Sequence, residues 1–174
     1  MLDTINRVMA PVRRRVMLMI GRCILTAIDD SRASQVVQVS LMADESRDGL
    51  ERMAEYGFTS VPLPGAEGVA LFVGGDRGHG IVVATADRRY RLTALEGGEV
   101  ALYDDLGHIV KLSRTGIVID GGGHDIAISN ASDVTVTGCN VTVTGGDVLA
   151  DGISLKTHVH TGVTTGGSNT GGPI

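Results

Sequence analysis

The chain has 174 residues, a formal net charge of −5 and five aromatic residues, none of them beyond Tyr103. This length suffices for one or two small domains, and so few rings in an acidic chain argue against a binder of single-stranded nucleic acid. After Gly116 only one of the fifteen basic residues remains, Lys156. That change of composition predicts a domain boundary. The two cysteines, Cys23 and Cys139, have no metal-binding or redox spacing, so we interpret both as buried structural thiols.

The N-terminal segment, residues 1–15, predicts a short amphipathic helix that Pro11 ends. Its arginine triplet, residues 13–15, indicates a solvated or partner-facing patch. The apolar run 16–20 that follows resembles part of a signal peptide, but Arg22 interrupts it. The run is also shorter than the roughly 20 apolar residues that cross a bilayer. We therefore expect it to begin the first strand of a soluble domain.

Residues 16–95 predict an OB-like Greek-key barrel of five strands. The predicted strands cover residues 16–28, 36–42, 58–61, 67–74 and 80–86. A helical or irregular insertion is expected at 44–56, between the second and third strands. Glycines 74, 75 and 78 predict a tight hairpin, because they complete neither a GxGxxG nor a GxxxxGK[ST] phosphate loop. Barrels of this class often bind oligonucleotides or sugars, but the fold alone does not supply a function.

A connecting hairpin is predicted at residues 96–115. Its strands cover 99–103 and 108–113, and the four-residue turn between them contains Gly107. This hairpin leads into the repeats that begin at Gly116.

Residues 116–156 contain an internal repeat of short apolar cores separated by Gly, Asp or Asn clusters. The cores are Ile117–Ile119, Ile126–Ile128, Val134–Val136, Val141–Val143 and Val148–Ala150. Apolar residues at alternate positions predict short strands with one buried face. A single copy would leave open strand edges and an apolar face in water. Three copies around a threefold axis would cover both, so we predict an intertwined homotrimeric β-helix shaft.

The last segment, residues 157–174, contains His158 and His160. Residues two apart on a strand point to the same side, so three chains would place six imidazoles around the axis. Neutral imidazole suits iron, nickel, copper and zinc, and six nitrogens favour an octahedral ion over tetrahedral zinc. Such a filled site would be structural. We expect the tail 161–174 to fold back as a capped apex.

The remaining titratable residues indicate neither a second metal site nor an active site. We interpret His79, His108 and His124 as isolated residues of turns and strands. The aspartates at 120, 125, 133, 147 and 151 recur at strand starts, where they serve turns, whereas the paired acids of a glycosidase face each other within about 10 Å. We therefore predict no enzyme, with a polysaccharide-degrading β-helix as one alternative. A receptor-binding or adhesive fibre tip is the other, although no aromatic anchor follows Tyr103.

The chain resembles the baseplate assembly protein V family in four features taken together. They are the run Tyr56–Gly65, the stretch Gly98–Tyr103, the Asp/Thr/Val repeats and the terminal His158-Val159-His160. Members of this family are the central spikes of contractile-tailed bacteriophages, and the chain is most similar to the Mu-like branch. The resemblance covers nearly the whole chain. It implies a homotrimeric needle under the baseplate hub, assembled in the host cytoplasm, that pierces the host outer membrane on sheath contraction. It also implies one iron ion per trimer, held by His158 and His160, with nickel or zinc as alternatives.

Overall fold

The computed structural model describes residues 2–42, 45–162, 164 and 166–167. The chain divides into two units, residues 1–126 and 127–174. The elements of the first unit are α1 (Leu2–Leu18), β1 (Ile20–Asp29), β2 (Gln35–Ser40), β3 (Ser46–Arg52), β4 (Glu67–Phe72), β5 (Gly80–Ala86), β6 (Val100–Tyr103), β7 (Ile109–Leu112) and β8 (Ile117–Asp120). The second unit contains β9 (Leu149–Ala150) and β10 (Ile153–Ser154).

The predicted five-stranded barrel is confirmed. Its strand order is β1-β2-β3-β5-β4, and β4 pairs with β1 to close it. All neighbours are antiparallel except β3 and β5, which pair in parallel. The core is formed by alternating residues of all five strands and includes the fully buried side chains of Leu25, Val37, Val39, Phe72 and Val82. Cys23 belongs to this core, as predicted for it.

The prediction for the N-terminal segment is wrong in two respects. Pro11 lies inside α1 and does not end it, and residues 16–18 continue the helix where the first strand was expected. Ile5, Met9, Val12 and Val16 recur at helical spacing, which a strand would distribute over two faces. The last helical turn also packs against the 3₁₀ turn Val73–Gly75, where a Cβ on Gly75 would lie 2.4 Å from the Arg15 carbonyl oxygen. That contact stabilises the helical turns of α1 that follow Pro11.

The third strand is also not where the sequence predicted it. β3 lies within the expected insertion, whereas residues 58–61 form a loop. The Arg52 guanidinium holds this loop, since it donates to the Ser60 carbonyl oxygen at 2.9 Å and to the Thr85 hydroxyl at 3.1 Å. β3 itself is polar and buries only Leu50. Its partners on both sides, rather than its own composition, make it a strand.

The predicted connecting hairpin is confirmed as β6 and β7, and β8 adds to β7 as a third antiparallel strand. β8 coincides with the first predicted core of the repeat. The three middle cores are not paired as strands with any described segment of the chain, and of the last core only Leu149–Ala150 is a strand. Strands need a partner for their backbone N–H and C=O groups, and the described part of one chain supplies none for these segments.

Within the described residues, no helix combines the length and the apolar character needed to cross a bilayer.

Candidate metal centre

The alternating apolar residues of the repeat are exposed in the single chain, and we refer to these eight side chains as the stripe. It consists of Ile117, Ile119, Ile126, Ile128, Val134, Val136, Val141 and Val143, which are between 48% and 73% exposed. Exposure of scattered apolar residues is ordinary, but the exposure of eight that alternate in successive repeats of the sequence is not. Cys139 is exposed in the same segment, so our interpretation of it as a buried thiol is wrong for a single chain.

The stretch before the two histidines is a tight β-hairpin. β9 pairs with β10, and the turn residues Asp151 and Gly152 both have positive φ, at 49° and 82°. Two-residue hairpin turns of type I′ require positive φ at both central positions, and Asp-Gly is a preferred pair for them. The Leu155 N–H donates to the Val148 carbonyl oxygen at 2.8 Å and extends the hairpin by one step. The chain therefore enters its last segment from a fixed turn.

Asp147 and Ser154 hold the residues between this hairpin and the histidines. The Ser154 hydroxyl donates to Asp147 Oδ2 and accepts the backbone N–H groups of Lys156 at 3.1 Å and Thr157 at 2.8 Å. The Thr157 hydroxyl also donates to it, at 2.9 Å. The bond from Ser154, followed by backbone N–H donors, keeps the pKa of the Asp147 carboxyl below its usual range. This network fixes the backbone up to residue 157.

The two histidines lie side by side. Their ring centroids are 5.1 Å apart in an edge-to-face arrangement, and both are exposed. His158 Nδ1 lies 2.9 Å from the Ser154 carbonyl oxygen, so it is the nitrogen that carries the proton and donates. His158 Nε2 is then the unprotonated nitrogen and can ligate a metal ion. Metal-binding histidines usually fix their second nitrogen in this way.

One chain offers this pair but not a complete site. Among the described residues, no three His, Cys, Asp or Glu side chains are grouped so that they could hold a metal ion. Two imidazoles fill at most two positions of an octahedral or tetrahedral ion. The donor chemistry fits iron, nickel or zinc, provided that further ligands come from other chains. The predicted fold-back of the tail lies largely outside the described residues.

The structure places the five aspartates at exposed positions along the turns. Asp120 Oδ1 accepts the Gly122 N–H at 2.9 Å, and Asp147 Oδ1 accepts the Val148 N–H at 2.7 Å. Local bonds of this kind are the turn-stabilising role that the sequence predicted for these residues.

Sequence reasoning missed a second histidine pair. His108 and His124, interpreted as isolated, have ring centroids 5.0 Å apart. The pairing of β7 with β8 brings together the turns that precede β7 and follow β8. The spacing of 16 residues carries no signal by itself. Recognising β7 and β8 as a hairpin could have suggested that the two residues meet.

Comparison with known proteins finds two family models that match different parts of the chain. The family model for Bacteriophage Mu Gp45, N-terminal, matches residues 22–89, which is the barrel region. The GpV Apex motif matches residues 152–173 and so includes both His158 and His160.

Two relatives cover most of the chain. The baseplate puncturing device gp45 of Escherichia phage Mu is 38% identical over 154 residues, which are 88% of this chain and 78% of that protein. The Mu-like prophage FluMu protein gp45 of Haemophilus influenzae is 32% identical over 176 residues, covering 91% of this chain and 95% of that protein. Identity at this level over most of both sequences confirms the resemblance to the Mu-like branch. The chain therefore belongs to the phage Mu gp45 family.

Proposed function

We propose that this chain is one subunit of the homotrimeric central spike of a contractile phage tail, and that the spike pierces the host outer membrane during infection. Membership of the family that includes the baseplate puncturing device of phage Mu supports this role. The role is mechanical and requires no catalysis. The spike is part of the virion, at the tip of the tail baseplate, and is assembled in the host cytoplasm.

The exposed apolar stripe is the main observation that supports a trimer. Burying one Val or Ile side chain stabilises a protein by about 1.5–3 kcal/mol relative to full exposure. The stripe keeps roughly half or more of each of its eight side chains in water. Its segments at residues 126–143 also lack strand partners among the described residues of one chain, although the first segment pairs with β7 as β8. Three copies around an axis would supply both, so residues 116–156 are the shaft of the spike.

The end of the shaft, residues 157–174, forms the apex. His158 and His160 of three subunits would give six imidazole nitrogens to one iron ion on the axis, with nickel or zinc as alternatives. The bond from His158 Nδ1 to Ser154 supports this, because it leaves Nε2 as the ligating nitrogen. The ion would cross-link three chains at the end of the shaft, and its binding energy would count as assembly energy. A tied tip would resist fraying under the contraction force.

The barrel, within residues 16–95, is the part we assign to the tail side of the spike. The hub of the baseplate is its partner. The hairpin region 96–115 connects the barrel to the shaft. This arrangement leaves the histidines at the membrane-facing end, where a stiff point is needed.

Metal content per chain tests the apex. After dialysis against EDTA, which leaves only tightly held metal, the protein should retain one transition-metal ion per three chains. His158→Ala/His160→Ala should remove that ion while the protein stays trimeric, because the stripe is intact. His79→Ala is the matched control and should keep the metal. Retention of no metal, or of one ion per chain, in elemental analysis would contradict the six-histidine site.

A further inference from the structure

The second histidine pair lies where two tight turns touch. One turn, Asp104–Gly107, joins β6 to β7, and the other, Gly121–His124, follows β8. A Cβ added to Gly122, whose φ is +59°, would lie 2.9 Å from the carbonyl carbon of Gly107. Glycine is favoured at this position, because a left-handed φ is costly for other residues and a Cβ would be too close to the Gly107 backbone. The turns are therefore held against each other by their backbones, and His108 and His124 are neighbours for that reason.

Asp104 orients one of the two imidazoles. Its Oδ2 lies 2.5 Å from His108 Nδ1, and its Oδ1 accepts the backbone N–H groups of Leu106 at 2.9 Å and His108 at 3.0 Å. The Asp104 carboxylate therefore accepts from the His108 side chain as well as from two backbone N–H groups, and these bonds fix its position. A carboxylate on Nδ1 keeps the proton there and leaves His108 Nε2 as a lone-pair donor.

We infer that His108 and His124 together bind one divalent transition-metal ion of the Zn²⁺ or Ni²⁺ class on each chain. His108 ligates through Nε2, His124 supplies the second imidazole, and water fills the other positions. Asp104 is a positioning residue and does not touch the ion. Asp120 and Asp125 border the same cavity as His108 and Asp104, and their carboxylates add negative charge beside a cation. The ion would link the turn that precedes β7 to the turn that follows β8, at the open end of this hairpin.

This site differs from the apex in its number of ions. It lies within one chain, so it gives one ion per chain, whereas the proposed apex gives one per three chains. Two protein ligands also hold an ion more weakly than six, so EDTA should empty this site first. Nothing in the inference depends on the proposed function.

The test uses the full chain carrying His158→Ala/His160→Ala, which lacks the apex ligands. After EDTA treatment and removal of the chelator, Ni²⁺ and Zn²⁺ are titrated by calorimetry. We expect one ion per chain. His124→Ala and His108→Ala should each weaken binding at least tenfold, and Asp104→Asn by about ten- to a hundredfold, the usual effect of a lost carboxylate behind a ligand. His79→Ala is the control and should bind like its parent.

Two further measurements distinguish metal binding by the two histidines from a purely structural role. Gly122→Ala removes no ligand but forces the turns apart, so it should weaken Ni²⁺ binding while circular dichroism shows an intact sheet. Zn²⁺ should also raise the melting temperature of the parent and not of the His124→Ala variant, because an ion that binds only the folded state stabilises it. Absence of binding in the parent, or binding that survives His124→Ala unchanged, would overturn the inference.

Discussion

The substitution Val136→Asp tests the assembly of the trimer separately from the folding of one chain. In the single chain Val136 is 51% exposed, so a carboxylate there would stay in water. Exposed substitutions of this kind change stability by about 0.5 kcal/mol or less. In the proposed trimer the same position faces the axis, where the variant loses the burial of the valine and must desolvate an ion. These contributions are about 1 and about 3 kcal/mol per chain, so the trimer should lose on the order of 10 kcal/mol.

Thr135→Asp is the matched control for this change. Thr135 precedes Val136 in the same segment and is also exposed, but in a strand of the proposed shaft it would point to the opposite side. Size-exclusion chromatography with light scattering should give about 54 kDa for the wild type and for Thr135→Asp, three times the chain mass of 18.1 kDa. Val136→Asp should give monomer or soluble aggregate. A Val136→Asp trimer as resistant to dilution and urea as the wild type would refute the inward-facing stripe.

Two further predictions concern hydrogen bonds that the structure shows. Ser154→Ala removes the hydroxyl that holds the Lys156 and Thr157 N–H groups, so apex metal retention in EDTA should fall about ten- to a hundredfold, whereas Ser129→Ala, in the repeat, should not change it. Equal retention in both variants would exclude Ser154 as a positioning residue. Glu99 accepts the backbone N–H groups of Arg114 and Glu96, which lower its carboxyl pKa below the ordinary 4.5. The folded state therefore binds this proton less readily than the unfolded chain, so the stabilisation is present above pH 4.5 and is lost as the pH falls through the folded pKa. Glu99→Gln should lower the urea midpoint at pH 7, and this deficit should shrink as the pH falls below 4.5; a deficit that stays constant as the pH falls would contradict this linkage.

The sequence predicted the elements that are short apolar runs bounded by turn-forming residues. β4, β5 and the β6–β7 hairpin are such runs, with glycine or aspartate near their ends, and they lie where that pattern indicated. The terminal His-x-His also needed no structure, because residues two apart in an extended chain share a side. The family resemblance depended on the same local features.

Only the tertiary structure decided the elements that depend on distant partners. β3 is polar and became a strand through its ladders with β2 and β5, whereas Phe58–Val61 has the composition of a strand but is held as a loop by Arg52. The same holds for the candidate sites. The pair at 108 and 124 exists because backbone pairing of β7 with β8 joins turns 16 residues apart, and no local periodicity reports such a contact. Side-chain patterns in a sequence record which face of an element is buried, but the choice of partner is made by long-range packing and hydrogen bonding, which a short stretch of residues does not contain.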